Sequence, residues 1–496
     1  ELGSHLTINP GIGFTTNSLE NNGTIVLNSM SNSYSSFISN TINTVGVINY
    51  NRTVNAYTND SSNNDNDLIT APLSGQTFGD FASAIANSNL LASGDLRAFA
   101  PFDKTTGNYT NYNVVTNTNT VITAGTGYRA ATSDGGTLTF TGAVETGTVT
   151  IDIQNSGTVF ADWNLIGNPY PSYVDLSVFL NHEVASGVTN LDILEGASGI
   201  YGYDGNVADG WDVITLANVG SRRLAPGQGF FVAADATDVS AYNLEFTPAM
   251  RTTGNSDDFI AGRNTNAPLT FLKLNISSTN KSYTTEFYFN DNASQGLDHG
   301  YDAVLWGGSA PSFALYSQLV EDSTGEAIAL QALGSGDISA ISIPLGVNAN
   351  AGEQLTFSIA DLNIPDTVTV YLEDNLTNTF TLLTSTDYVF IPSSHLFGTG
   401  RFYIHIGRDA LGTVEHVLNG LEIYTTDNPK EIVVKGQLED HTTFKLFDIR
   451  GRLVINQILN ANTTKHSMNA SNLTAGVYVV QLQNANANRT QKVILR

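Results

Sequence analysis

Apolar and polar residues alternate with a period of two along most of this chain, the spacing that puts every second side chain of a β-strand on one face. The clearest runs are Thr270-Phe271-Leu272-Lys273-Leu274, Thr285-Glu286-Phe287-Tyr288-Phe289, Val368-Thr369-Val370-Tyr371-Leu372 and Phe402-Tyr403-Ile404-His405-Ile406. Helical spacing occurs in two places. Over residues 77–88 it puts Phe78, Phe81, Ala82 and Ile85 on one face, and over residues 175–180 it follows Pro171-Ser172. The pattern predicts an all-β protein with short helical connections.

Turn residues divide the chain into segments. Residues 1–49 carry short apolar stretches separated by Asn and Gly, as in the last rungs of a β-solenoid, with a plain β-meander as the alternative. Residues 50–262 predict a mostly antiparallel β-sandwich in which Asn168-Pro169-Tyr170-Pro171 forms a rigid corner and Trp163 lies in the core. A polar stretch leads into residues 268–407, a second β-sandwich of roughly seven to nine strands. Residues 408–419 read as a connector, and 420–496 as a small Ig-like β-sandwich. The fold class expected is therefore a β-solenoid end, tandem β-sandwich domains and a small C-terminal sandwich. Residue 1 is Glu and no basic-then-apolar segment precedes Leu2, so the chain is expected to be processed or truncated at its front.

Composition narrows the functions. A formal charge of -25, with only 21 basic residues spread over 496, argues against nucleic acid as a partner. The absence of cysteine removes disulfides, thiol catalysis and zinc–thiolate sites. No apolar run approaches the roughly 18 residues of a membrane helix. The last segment departs from the acidic whole by carrying more basic than acidic side chains, as an independent module would.

No catalytic constellation emerges. His182-Glu183 lacks a second His four positions on, and neither a Gly-x-Ser-x-Gly elbow nor a phosphate-binding loop occurs. The chain is expected not to be an enzyme. Asp291, Asp298 and Asp302 lie on a Gly-containing loop beside His299, a pattern that suits calcium or a solvated, side-chain-capped turn. Asp204, Asp209 and Asp212, and Asp60, Asp65 and Asp67, form looser groups without EF-hand spacing. No cofactor is expected, calcium being the one candidate. Of the three tryptophans, Trp211 sits in a Gly/Asp loop where an exposed indole would stack on a sugar, making a glycan the candidate ligand.

The C-terminal segment carries a series of spaced motifs. Asp448, Gly451 and Val454 form an Asp-x-x-Gly-x-x-Val hairpin, Leu473, Gly476 and Tyr478 a Leu-x-x-Gly-x-Tyr strand, and Lys492 opens the tail. Asn428-Pro429 precedes them, with additional residues from 423 to 427 in front. This order resembles the type A sorting domain of type IX secretion substrates of Bacteroidetes. The resemblance implies recognition by the outer-membrane translocon and its shuttle protein. It also implies cleavage in the connector by a cell-surface sortase that can attach the cargo to a lipopolysaccharide. The blocks 162–172, 199–204, 224–232 and 246–251 resemble a sequence common in large secreted Bacteroidetes proteins, and Asp366-Thr367-Val368 resembles their O-glycosylation motif at Thr367. The expected function is a secreted or cell-surface type IX cargo whose upstream β-domains act as an adhesive or structural stalk. The alternative is a carbohydrate-binding accessory region of a secreted polysaccharide-degrading enzyme.

Overall fold

The computed structural model describes residues 4–58, 66–203, 211–255, 257, 269–323, 325–407, 421–436, 438, 442–448, 452–460, 463–483 and 488–495. Half of the described residues are strand and 7% helix, as the alternation predicts. It divides into two compact units, Glu1–Gly407 and Arg408–Arg496.

The first unit opens with parallel pairing rather than a meander. Strands His5–Ile8, Thr24–Met30 and Val47–Thr53 lie side by side, with His5 on Thr24 and Thr24 on Val47. Gly13–Asn21 pairs likewise with Ser36–Thr44, Gly13 on Ser36. Each later turn therefore repeats after 23 residues, from 24 to 47 and from 13 to 36. In-register stacking puts like on like: Ile8, Leu27 and Tyr50 form one buried ladder, and Phe14 stacks on Phe37 at 5.9 Å. At the corner a Cβ on Gly46 would lie 2.0 Å from the Gly23 carbonyl oxygen, so only glycine permits this approach of consecutive turns. Strand Val47–Thr53 crosses the boundary expected at residue 49 and continues into an antiparallel pair with Thr137–Thr141.

Residues 50–255 form several small sheets instead of one two-sheet sandwich. A four-stranded sheet runs in the order Trp163–Gly167, Gly229–Ala233, Ile200–Gly202, Asp212–Ile214, and another joins Asn108–Tyr109, Phe99–Asp103, Tyr128–Ala130 and Asp67–Ile69. The first expected helix is shorter than its pattern. Phe78–Ser83 is helical under a Thr77 cap, but the chain extends at Ala84 before a 3-10 turn. That break rotates Ile85 off the apolar face, and it is 92% exposed. The second helix forms where expected, as Leu176–Leu180, with Asp175 as its cap instead of its first residue. The Asn168–Pro171 corner is rigid for a visible reason. The Asn168 amide donates to the carbonyls of Ser172 and Ala225, and the Tyr170 hydroxyl shares its one proton between those of Gly147 and Phe246.

Residues 269–407 do not split into two sheets. They form one 11-stranded sheet, curled into a nearly closed barrel. Its main path runs from Thr379–Leu382 through Thr369–Asp374, Phe402–Gly407, Ala340–Asn348, Ala314–Ser317, Ile328–Gly334, Ser282–Asn290, Thr270–Ser277 and Leu355–Asn363 to Tyr388–Phe390. The alternation expected to face a second sheet faces the same sheet across the curl: Leu272, Leu274, Phe287, Ile343, Phe357, Val370 and Ile404 are all buried in one cluster. That cluster continues through Trp163, Tyr201 and Phe231, so the core has no gap at the boundary expected between 262 and 268.

The two ends of the sheet meet at a charged latch. Asp374, on the second strand, accepts two hydrogen bonds from the Arg401 guanidinium, at 2.8 and 2.6 Å, and one from the Tyr388 hydroxyl of the last strand at 2.8 Å. Burial opposes the Asp374 charge, but the hydrogen bonds from Arg401 and Tyr388 outweigh it and hold the carboxyl below its ordinary range. Arg401 also lies over the rings of Phe390 and Phe402, at 4.9 and 4.7 Å. Asp374→Asn, which leaves Arg401 without its counter-charge, is expected to cost the Glu1–Gly407 unit about 3 kcal/mol in urea unfolding. An unchanged unfolding midpoint would mean that apolar packing alone closes the sheet.

Candidate functional site

The Arg408–Arg496 unit places most of the motif residues on neighbouring strands. One sheet runs Glu422–Asp427, Lys430–Lys435, Lys465–Asn469, and the other Leu453–Leu459, Thr442–Asp448, Gly476–Gln483, Asn488–Leu495. Ile432, Val434 and Met468 of the first and Phe444, Leu446, Tyr478, Val480 and Val493 of the second form one apolar core. Residues 423–427, the additional residues in front of Asn428-Pro429, belong to a strand, and Asn428-Pro429 is the two-residue turn that closes its hairpin, with Asp427 opposite Lys430.

Asp448 accepts hydrogen bonds from the Arg452 backbone N–H at 3.0 Å and from its guanidinium at 3.1 Å, fastening the two ends of the hairpin. Gly451 lies outside the described residues. Leu446 faces Ile455 while Phe447 faces Leu453, so Val454 is the extra residue of a β-bulge, and it packs against the core. Tyr478 stands opposite Asp448 on the adjacent strand. Its ring is buried and its hydroxyl reaches back 3.0 Å to the Thr474 carbonyl, holding the turn before its own strand. This explains the spacing of the Leu-x-x-Gly-x-Tyr motif: Leu473 anchors the turn in the core and Tyr478 ties it. Gly476 serves its spacing without needing glycine's freedom. It has no left-handed backbone, and a Cβ there would meet only the Tyr478 ring at 3.9 Å, an ordinary contact. Lys492, opposite Val479, is exposed.

Sequence reasoning missed the polar links between motifs. The Lys430 ammonium donates to the Leu473 carbonyl at 2.9 Å, joining the first hairpin to the Tyr478 turn. Gln491 donates to the Ile423 carbonyl at 2.9 Å, and Thr425 to that of Ile494 at 3.0 Å, joining the two sheets. Each uses a backbone acceptor far away in sequence, so no local pattern marks it.

In the Glu1–Gly407 unit the carboxylates proposed for calcium are engaged by internal donors. The Ser335 hydroxyl bonds Asp291, the Ser294 N–H and hydroxyl bond Asp298, and the backbone N–H groups of Asp298 and Ala332 each bond Asp302 at 2.7 Å. Among the described residues no group of three or more His, Asp or Glu is placed to hold a metal ion. Asp212 pairs with Arg222 at 3.2 Å, and Asp67 caps Asn55, whereas Asp60, Asp65, Asp204 and Asp209 lie outside the described residues. Thr367 stands on an exposed turn.

Trp211 is half-buried rather than freely exposed. Its ring stacks on Trp306 at 5.1 Å with 17° between planes, and both join Trp163, Phe160 and Phe231 in an aromatic cluster. The two indoles border a cavity of about 220 Å³ whose other walls include Asp212, Lys273, Thr284, Glu286 and Leu330. On those walls Lys273 pairs with Glu286 at 2.7 Å, and the Tyr288 hydroxyl donates to Glu286 at 2.7 Å.

Two stability measurements follow from these contacts. Tyr478→Phe is expected to cost about 1 kcal/mol and Gly476→Ala less than about 0.5 kcal/mol, read from hydrogen exchange of the amides of strand Gly476–Gln483. The opposite ranking would mean that glycine, not the tyrosine hydroxyl, holds the turn. Burial, which outweighs its two backbone hydrogen bonds, pushes the Asp302 carboxyl up to about 7. The folded protein therefore binds this proton more tightly than the unfolded chain, and stability falls as pH rises toward 7. Between pH 5 and 8 the wild-type chain is expected to lose about 3 kcal/mol relative to Asp302→Asn. Parallel pH profiles in urea unfolding would remove Asp302 as the cause.

Residues 427–496 match the family described as Secretion system C-terminal sorting domain. That domain marks proteins exported by the type IX system, so this chain is destined for the cell surface or extracellular space and engages the secretion machinery. No curated protein matches the chain. A solved structure of a biofilm associated protein, its BSP domain, is 10% identical and covers 89% of this chain and 97% of its own, with a TM-score of 0.17, too low to support a common fold. Residues 1–406 match the family described as Domain of unknown function (DUF8693), and the chain, matched over that whole stretch, belongs to this family.

Proposed function

We propose that this protein is a surface-displayed scaffold: the C-terminal unit is its export signal and the Glu1–Gly407 unit an adhesive or structural stalk. The observation that carries the reading is the sorting-domain match over residues 427–496, which falls on a unit with its own apolar core. On this reading the outer-membrane translocon and its shuttle protein recognise the folded unit, and a cell-surface sortase cuts within residues 408–419. The chain itself performs no catalysis. The parallel stack at the front supports a stalk, because in-register parallel pairing that repeats after 23 residues is the kind of pairing by which stacked turns build an extended body. Thr367, on its exposed turn, is the proposed O-glycan acceptor.

Residues 409–496 fused to an inert periplasmic reporter should carry it to the surface or medium of a Bacteroidetes host. Deleting 476–496 removes the strands Gly476–Gln483 and Asn488–Leu495, and should leave the reporter in the periplasm. Equal export of the truncated fusion would overturn the assignment of the signal to this unit.

A further inference from the structure

The cavity beside Trp211 and Trp306 has two unlike walls. On one side are two stacked indoles, backed by Phe231 at 5.6 Å from each. On the other are Lys273, Glu286, Thr284 and Asp212, supplied by adjacent strands of the curled sheet and by strand Asp212–Ile214. The indole wall is held rigidly. Gly307 and Gly308, both left-handed at φ 74° and 70°, follow Trp306, and a Cβ on Gly307 would come within 2.8 Å of the Phe160 ring.

The charges on the polar wall cancel in pairs. Lys273 neutralises Glu286 at 2.7 Å, and Arg222, behind the wall, neutralises Asp212 at 3.2 Å. A charged ligand would leave one of these groups uncompensated in a partly dry site, a large penalty. A neutral ligand that offers hydroxyls meets donors and acceptors already in place. The volume, about 220 Å³, is below the roughly 300 Å³ at which drug-sized pockets begin. It has room for one ring.

We propose that this cavity binds a single neutral pyranose unit, its apolar C–H face on the indole wall and its hydroxyls on Lys273, Glu286, Thr284 and Asp212. The negative face of an indole attracts the weakly positive C–H edge of a sugar ring, while the opposite wall replaces the water that the hydroxyls give up. The site goes beyond the export signal and does not depend on it.

The test uses the purified full chain, so its result is independent of export. Methyl glucopyranoside, galactopyranoside, mannopyranoside and N-acetylglucosamine are titrated by calorimetry and tryptophan fluorescence. At least one should give saturable binding near the millimolar range, weakened at least tenfold by Trp211→Ala and by Glu286→Gln. Thr284→Val, nearly isosteric at a half-buried position, preserves the fold and should weaken the same sugar severalfold. Glucuronate should bind more weakly than its neutral parent. The proposal is overturned if none of the four sugars binds up to its solubility limit, if glucuronate binds as well as the glucoside, or if Thr284→Val leaves binding unchanged in a chain with wild-type thermal unfolding.

Discussion

The inner face of the sheet spanning residues 269–407 is apolar on strand after strand, and the larger unit depends on that face being buried against itself. Leu272, Phe287, Ile343, Val370 and Ile404 reach across the curl instead of meeting a second sheet. A curled sheet leaves two edge strands near each other, where unpaired backbone groups invite aggregation. The Asp374, Arg401 and Tyr388 latch answers this with charge and hydrogen bonds that suit only one alignment of the ends. Apolar burial supplies the driving force, and the latch decides how the sheet closes.

Closure also determines what the outer face can do. With its apolar side chains turned inward, the sheet presents Lys273, Glu286 and Tyr288 outward, toward Trp211, Asp212 and Arg222 of the preceding segment. Backbone links tie that segment down: the Tyr201 hydroxyl donates to the Val304 carbonyl at 2.7 Å, and the Leu216 N–H to the Gly300 carbonyl at 2.8 Å. The aromatic cavity is a product of this docking. Each wall draws on both segments: Trp211 and Asp212 come from one, Trp306, Lys273, Thr284 and Glu286 from the other.

The sorting unit follows a different logic. Its motif residues hold structure: Asp448 fastens a hairpin, Val454 makes a bulge, Leu473 and Tyr478 hold a turn, and Lys430 links that turn to the Asn428-Pro429 hairpin. Recognition by a secretion machine requires a reproducible surface, and these contacts specify one in a small unit whose core alone would tolerate alternative registers.

Strand identity and the sorting motifs were legible in the sequence because both rest on local regularities, period-two alternation and short fixed spacings. Residues Thr442–Asp448 and Gly476–Gln483 form strands where the pattern puts them. Partner choice was not legible. Period-two alternation is the same whether a strand faces a second sheet or its own curled continuation, so it gave no sign of the barrel. The burial of Trp211 on Trp306 arises from a neighbour far away in sequence, and the helix break at Ala84, which exposes Ile85, leaves no mark in the apolar spacing. The sequence by itself determined an exported all-β chain with a C-terminal signal. The tertiary structure decided sheet order, the closing latch and the cavity, because each depends on which distant surfaces meet, and pairing at long range leaves no periodic trace along the chain.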